Sequence, residues 1–164
     1  DHLDLHSFPT RRSSDLVNWI KRDLKKAGIE FDLWRKQSDI ENEGKSKEVI
    51  ERLIKGGNTV KREGALWFKS AESGLEDLDQ ENVLTKSDQE ETPTYFVDDI
   101  AYHKDKFDRG ADIVIDIWGS NHHGHIERMK QALSALSYDS DKFRVILYQM
   151  VRLKIGRASC RERV

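Results

Sequence analysis

Histidines are concentrated in one short turn of this 164-residue sequence, where residues 119–125 read Gly-Ser-Asn-His-His-Gly-His. Imidazole is a common zinc ligand, so His122, His123 and His125 are candidates for a metal site. Adjacent residues point in different directions, however, and outside the terminal segments described below the sequence has one other histidine, His103, and no cysteine. A metal site also needs supporting hydrogen bonds around its ligands. We therefore expect no bound metal at this turn.

The same turn has the chemistry to hold a ribose or a phosphate. Gly119 lets the backbone approach a ligand closely, and Ser120 and Asn121 are good helix caps. A helix that begins here presents free amide donors and the positive end of its dipole. The simpler interpretation is that Ser120 or Asn121 only caps the helix. Three histidines in four positions favour a binding site.

A tyrosine and two carboxylates lie earlier in the chain, at the start of a predicted helix. Asp99 follows Tyr95 by four residues, so a strand-to-helix junction could bring both side chains to one pocket wall. Taken singly, Asp99 could be a helix charge that the dipole stabilises, and Tyr95 could be a core aromatic. Asp98 is interpreted as a second acidic cap.

The elements before these residues follow from the spacing of apolar side chains. Residues 29–34 are predicted as a short strand, and the polar run 37–47 as a solvated loop that enters a helix near Ser46. Residues 65–69 and 82–86 are predicted as the two strands of a hairpin with a long acidic connection. Two helical faces are predicted from the spacing of Val17, Ile20, Leu24 and Ala27 and of Val49, Ile50, Leu53 and Ile54, the second ending at Gly56-Gly57.

The second half of the chain alternates between element types. A helix that ends at Gly110 is followed by strand 112–118, a second helix and strand 143–151, with the first strand expected to be buried. Strand, turn, helix and strand make the βαβ unit of a parallel sheet, in which ligands lie beyond the carboxyl ends of strands. The predicted apolar face of the first helix is Val97, Ile100, Ala101, Lys104 and Phe107, in which the aliphatic stem of Lys104 lies on the apolar face and its ammonium reaches solvent. The predicted face of the second helix is Ile126, Met129, Leu133 and Leu136.

The two ends of the chain are antisense images of each other. A DNA string that encodes residues 6–15 has a reverse complement that reads, in frame, as residues 155–164. The string resembles a short-read sequencing adapter, so we interpret residues 1–16 and 155–164 as artefactual tails and exclude them from fold reasoning. The other interpretation is a basic Ser/Arg tail at each end.

Trimming these tails leaves a slightly acidic segment. Of the 28 basic residues five lie in the tails, and of the 30 acidic residues four do, which leaves 23 against 26. This charge balance does not predict a nucleic-acid-binding surface, so any contact with nucleic acid must come from local patches or from other parts of the protein. Cys160, the single cysteine, lies in a tail, which suits a reducing cytoplasm. No apolar run approaches the roughly 20 residues that cross a bilayer.

Two sequence blocks carry a resemblance to a known family. Residues 92–103 read Thr-Pro-Thr-Tyr-Phe-Val-Asp-Asp-Ile-Ala-Tyr-His, and residues 118–126 read Trp-Gly-Ser-Asn-His-His-Gly-His-Ile. Both resemble the arginyl-tRNA synthetases, and weaker matches extend over most of residues 17–154. The resemblance implies an α/β fold in which residues 93–154 form the second half of a Rossmann-like class I synthetase catalytic domain. An inserted α+β segment with a β-hairpin, residues 17–92, would precede it.

The resemblance also implies roles for particular residues. Asn121 stands where an aspartate is frequent in the family, and its side-chain oxygen can still accept from a ribose hydroxyl although the charge is lost. The implied contacts to the substrate arginine are Tyr95, Asp99 and His122. The implied contacts to ATP are Gly119, Asn121, His122 and His123, with Gln149 and Met150 near the adenine pocket. No catalytic residue is implied, because the reaction uses no covalent enzyme nucleophile.

The function implied is that of an arginine-tRNA ligase, which activates L-arginine with ATP and Mg²⁺ and transfers it to tRNA(Arg). The parent enzyme would be cytoplasmic and monomeric, with no membrane partner. The sequence lacks the family's His-Ile-Gly-His-like signature, and its Lys-Met-Ser-Lys-Ser-like loop would begin shortly after Lys154. Both elements stabilise the pentavalent phosphate, so we expect this fragment to be inactive alone. The extra Gln89-Glu90-Glu91 also lengthens the turn before Thr92.

Two other functions stay open from the sequence. Another class I synthetase, such as the cysteinyl type, has a histidine-containing turn but would need zinc-binding cysteines, and none lies outside the tails. A metal- or nucleotide-binding α/β module without catalysis would use the histidines to bind an ion. Stoichiometric zinc in the purified chain would favour that second function.

Overall fold

The computed structural model describes residues 13–69, 82–87 and 92–150, without the side chains of residues 13–15. Two compact units are present, Asp1–Arg35 and Lys36–Val164. The predicted tail 155–164 lies outside the described residues, as do the acidic connection 72–81 and most of the predicted tail 1–16. In the described part of the chain, no helix has the length and apolar character needed to cross a membrane.

The described part of the first unit contains helix α1. This helix is Ser13–Lys26. It confirms the helix predicted from the spacing that begins at Val17, but it starts four residues earlier, within the predicted tail 1–16. The strand predicted at residues 29–34 is wrong, because these residues form no ladder with any described strand. Their alternating apolar side chains stay exposed, and Phe31 packs edge-on against Trp34 with the ring centroids 5.4 Å apart. Alternation alone does not make a strand without a partner for its backbone groups.

The second unit begins with two helices. Helix α2 is Gln37–Asn42, where the sequence predicted a solvated loop, and that prediction is wrong because Ile40 is buried in the core. Helix α3 is Lys45–Lys55 and begins after Gly44, whose φ of 71° suits glycine. In α3 the predicted apolar face is confirmed at Val49 and Leu53, which are fully buried, whereas Ile54 is exposed.

A β-hairpin follows the helices. Strand β1 (Thr59–Arg62) pairs antiparallel with β2 (Ala65–Phe68) through a tight turn at Glu63-Gly64. The sequence predicted that residues 65–69 pair with residues 82–86. In the structure this pairing consists of one bridge, between Trp67 of β2 and Val83. The sequence did not reveal β1, because Thr-Val-Lys-Arg has a single strongly apolar residue.

The remaining elements include the predicted βαβ unit. They are α4 (Tyr95–Asp108), which precedes the unit, and the unit itself, made of β3 (Val114–Gly119), α5 (His123–Ala135) and β4 (Phe143–Tyr148). Two 3₁₀ turns, Ser120–His122 and Ser140–Lys142, lie before α5 and β4. Strands β3 and β4 are parallel, with a register that runs from Val114 opposite Phe143 to Gly119 opposite Tyr148. The prediction of a parallel pair joined through a helix is therefore confirmed.

One face of this parallel pair contributes to the core and the other does not. Val114 and Phe143 are buried, whereas Ile117 is 68% exposed and Ile115 is also exposed. The prediction that strand 112–118 is buried is thus right for one face only. The core of the described residues combines α2, α3, the hairpin, α4, α5 and this sheet face: Ile40, Val49, Leu53, Leu66, Phe68, Leu84, Phe96, Val97, Ile100, Ala101, Val114, Met129, Ala132, Leu133, Leu136 and Phe143.

Candidate functional site

The histidine-rich turn lies where β3 ends and α5 begins. Gly119 has an ordinary extended backbone, but a Cβ there would lie 2.6 Å from Asn121 Oδ1, so glycine is what lets the Asn121 side chain fold back. The Ser120 hydroxyl donates to Gln149 Oε1 over 3.3 Å, which ties the turn to the residue after β4. Neither Ser120 nor Asn121 caps a helix, since neither helical segment here has a side-chain cap bond.

A small cavity opens between this turn and the first part of α4. Its volume is about 200 Å³. That is below the roughly 300–1,000 Å³ of pockets for whole drug-sized ligands, so the cavity suits one end of a ligand. The side chains and backbone that line it belong to Asp99, Asn121, His122, Gly124, His125 and Arg128.

Asp99 supplies a carboxylate to this cavity. Its side chain is 56% exposed, and its Oδ2 lies 3.5 Å from His125 Nε2. Arg128 brings a guanidinium, whose Nη2 lies 2.5 Å from His125 Nδ1. The Arg128 guanidinium also lies over the Phe96 ring, 5.1 Å from its centroid. The cavity thus pairs an accessible negative charge with a positive charge already engaged by neighbouring side chains.

A buried polar network holds the helical turn that carries Asp99. His103 Nδ1 donates to the Asp99 backbone carbonyl over 2.6 Å, and His103 Nε2 lies 2.5 Å from Asp116 Oδ2 on β3. Lys106 Nζ donates to the other Asp116 oxygen over 2.6 Å. Burial opposes ionisation of Asp116, but the hydrogen bonds and charges of His103 and Lys106 outweigh it and lower the pKa of Asp116 to about 2.

Sequence comparison connects this arrangement to one family of enzymes. The chain is 47% identical over 137 residues to the arginine-tRNA ligase of Heliobacterium modesticaldum, and this match covers 84% of the chain. It is 43% identical to the arginine-tRNA ligase of Carboxydothermus hydrogenoformans over the same share of the chain. This chain is a homologue of one segment of the arginyl-tRNA synthetases. It spans only 23% and 24% of the length of these two relatives.

Solved structures agree with this relationship to arginyl-tRNA synthetases. A Campylobacter jejuni protein assigned as an arginyl-tRNA synthetase matches 85% of the chain with a TM-score of 0.73 and 34% identity, and the match covers 29% of that protein. The Thermus thermophilus arginyl-tRNA synthetase has a TM-score of 0.63 at 19% identity, which shows the fold alone. No protein-family model matches the chain. The predicted α/β class, as part of a synthetase domain, is confirmed.

In this synthetase homologue the structure brings some of the predicted contact residues together and leaves others apart. Asp99, Asn121 and His122 line one cavity, and Gly119 abuts the Asn121 side chain. Tyr95 does not line the cavity and is 82% exposed, so it is not a core aromatic either. Of the predicted ATP contacts, His123, Gln149 and Met150 lie outside the cavity lining and are exposed. Gly119 also lies outside the lining and is half-buried.

Three cavity residues, Gly124, His125 and Arg128, were not predicted as contacts. His125 was considered only as a metal ligand, and Arg128 was not considered, although its spacing of three residues from His125 places both on one helical face. In the described ranges, no group of three His, Cys, Asp or Glu side chains is arranged to hold a metal ion. The pattern that was not recognised in the sequence is thus a pair of polar residues, His125 and Arg128, at helical spacing near the start of α5.

Contacts on the opposite side of α4 show that the predictions for Asp98 and Lys104 were wrong. Asp98 is more than a second acidic cap, because it accepts from the Ser46 hydroxyl over 2.7 Å and thereby binds α4 to α3. Burial raises the pKa of Asp98, and the Ser46 bond opposes this only in part. Lys104 does not snorkel, because its buried ammonium lies 2.9 Å from Glu48 and 2.6 Å from Asp108. Burial lowers the pKa of Lys104, but these two bonds outweigh burial and the pKa is raised.

Proposed function

We propose that this chain is part of an arginine-tRNA ligase and that its cavity receives the side chain of L-arginine. The observation that carries the proposal is the Asp99 carboxylate, which lines a cavity of about 200 Å³ while more than half of its side chain stays accessible. A guanidinium is a planar fork of donors, and a carboxylate accepts two of them in parallel. Tyr95 and His122 are proposed as further contacts, Tyr95 from the helical turn before Asp99.

The ATP side of the proposed site is the turn that follows β3. No side chain caps the start of α5, so the positive end of its dipole is available to a ribose or phosphate, although the His123 N–H itself already donates to the Ser120 carbonyl. Gly119, Asn121, His122 and His123 are the proposed contacts, with Gln149 and Met150 bordering the adenine. The hydrogen bond from Ser120 to Gln149 supports this, because it keeps the two proposed ATP-binding segments together.

The proposed reaction of the parent enzyme joins arginine to its tRNA in two steps. The arginine carboxylate attacks the α-phosphate of ATP, pyrophosphate leaves with Mg²⁺, and arginyl is then transferred to the terminal ribose of tRNA(Arg). The part of this chain is to position and orient the substrates. We further propose the domain division at residues 92 and 93, and a cytoplasmic, monomeric parent enzyme.

Ligand binding to the full chain tests the arginine site. L-citrulline has nearly the shape of L-arginine but no positive charge, so titration calorimetry with both ligands isolates the contribution of Asp99. We expect arginine to bind at least about tenfold more tightly than citrulline, as for one charged hydrogen-bonded pair. Asp99→Asn should remove this preference, whereas the control Asp112→Asn, at an exposed position, should retain it. Equal binding of both ligands to the unmodified chain would contradict the proposal.

A second measurement addresses catalysis. The chain contains neither of the two phosphate-binding signatures that the family uses, so we expect no isotope exchange between ATP and pyrophosphate in the presence of arginine. Exchange above the rate of a protein-free control would contradict this expectation.

A further inference from the structure

His125 lines the cavity, although the family resemblance gave it no role. It lies in the first turn of α5, and its side chain is 16% exposed. Its ring is held between two aromatic side chains, with centroids 5.7 Å from Phe96 and 5.3 Å from Trp118. A ring packed in this way presents its two nitrogens in fixed directions.

The neighbours of the ring determine which nitrogen carries the proton. Arg128 Nη2 lies 2.5 Å from His125 Nδ1. A guanidinium can only donate, so Nδ1 must accept and cannot carry a proton. The neutral ring therefore carries its proton on Nε2, and Arg128 acts as the group that selects this tautomer.

A suitable acceptor for the Nε2 proton lies in the cavity. Nε2 is buried and forms no hydrogen bond with any described residue, yet it lies 3.5 Å from Asp99 Oδ2. A substrate guanidinium offers only donors, so it cannot satisfy this N–H. A shift of a few tenths of an ångström in the accessible Asp99 side chain would complete a hydrogen bond to Nε2.

We propose that His125 is a positioning residue for arginine selection, in which its Nε2–H holds Asp99 Oδ2 and turns the carboxylate toward the substrate guanidinium. This rests on the proposed function. Because the Asp99 side chain is more than half exposed, it can rotate away when nothing holds it. The loss of the His125 donor should then weaken recognition of charged arginine more than recognition of its neutral analogue.

Two substitutions separate this role from simple packing. In His125→Gln the amide nitrogen reaches the place of Nε2 and keeps the donor to Asp99. In His125→Asn the amide lies near the place of Nδ1 and the donor to Asp99 is lost. We expect the preference for L-arginine over L-citrulline to fall about tenfold in His125→Asn and to stay within about threefold in His125→Gln. If both variants weaken both ligands equally, His125 only packs, and the proposal is wrong.

A measurement on the unmodified chain covers the case in which the variants do not fold. Long-range proton-nitrogen NMR of the histidine rings, at a pH where imidazole is neutral, should show His125 with the proton on Nε2. A proton on Nδ1 would overturn the proposal. If the unmodified chain does not prefer arginine, the proposed function itself fails. If it does prefer arginine and folded His125→Asn keeps that preference, only the role of His125 fails.

Discussion

At the scale of single residues, the carboxylates of Asp98 on α4 and Asp116 on β3 have opposite effects on folding. Asp116 is held by His103 and Lys106, so its charged form is favoured in the folded chain. Asp98 accepts from the neutral Ser46 hydroxyl, and burial is the largest influence on its pKa, which is raised. An ionised carboxylate therefore stabilises the folded chain where neighbouring positive charges have the larger effect on its pKa, and destabilises it where burial has the larger effect.

Asp116→Asn should destabilise the chain at neutral pH. A pKa lowered from 3.8 to about 2 corresponds to about 2 kcal/mol of stabilisation by the charged form. This stabilisation is complete above the unfolded-state pKa and disappears as the pH falls through the folded-state pKa, so wild-type stability should decline between about pH 4 and pH 2. Urea unfolding at neutral pH measures the effect of the substitution, and urea unfolding of the wild type from about pH 4 to about pH 2 measures the decline. Asp112→Asn is the exposed control, and an equal loss there would refute the argument.

Asp98→Asn should leave stability unchanged or raise it slightly at neutral pH. The substituted amide keeps an oxygen that accepts from Ser46, and the substitution removes a charge whose ionisation burial opposes. Since the folded-state pKa of Asp98 is raised, wild-type stability from this group falls as the pH rises through the unfolded and then the folded pKa. We expect a gain of up to about 0.5 kcal/mol by urea unfolding. A loss of more than about 1 kcal/mol would show that the charge itself is needed.

At the scale of elements, α4 positions the site because both of its sides are fixed by polar contacts. Toward α3, Asp98 binds Ser46, and Asp105 lies 2.8 Å from Lys45. Toward β3, His103 reaches Asp116. Asp99 lies between these two sets of contacts, so its backbone is fixed while its side chain stays accessible.

The starts of α3 and α5 offer matched glycine substitutions at the element scale. Gly44→Ala should destabilise by about 1 kcal/mol, because φ of 71° is costly for alanine. Gly124→Ala should stabilise by up to about 1 kcal/mol, since a Cβ there meets nothing within 4 Å and alanine favours helix. Thermal unfolding by circular dichroism distinguishes the two. Opposite signs are expected, and the same sign for both would contradict the backbone assignment.

At the scale of the whole molecule, the outer face of the parallel strand pair is exposed and mostly apolar, with Arg144 opposite Ile115 as its charged member. Ile115, Ile117, Ile146 and Tyr148 all project from it with more than half of their surface accessible. Parallel sheets in proteins are covered on both faces. The chain spans about a quarter of the length of its arginine-tRNA ligase relatives, and we expect this face to be covered in those relatives by segments that have no counterpart in this chain.

The chain studied by itself should therefore self-associate through this face. Ile117→Lys places a charge in the middle of the patch and should shift sedimentation velocity profiles toward the monomer without loss of helical content. Ile54→Lys is the matched control, because Ile54 is 51% exposed on α3 and lies outside this sheet. An equal shift in both variants would exclude the sheet face as the contact.

The sequence by itself determined the βαβ order, the helices α1, α3, α4 and α5, and the turn that carries the histidines. Those follow from local periodicity and from turn residues, which need no knowledge of distant contacts. Tertiary structure decided that α2 is a helix, since the burial of Ile40 outweighs the polar run around it. It also decided that residues 29–34 form no strand, and that His125 and Arg128 meet Asp99 in one cavity. Burial and pairing depend on which surfaces come together in space, and no local spacing encodes that.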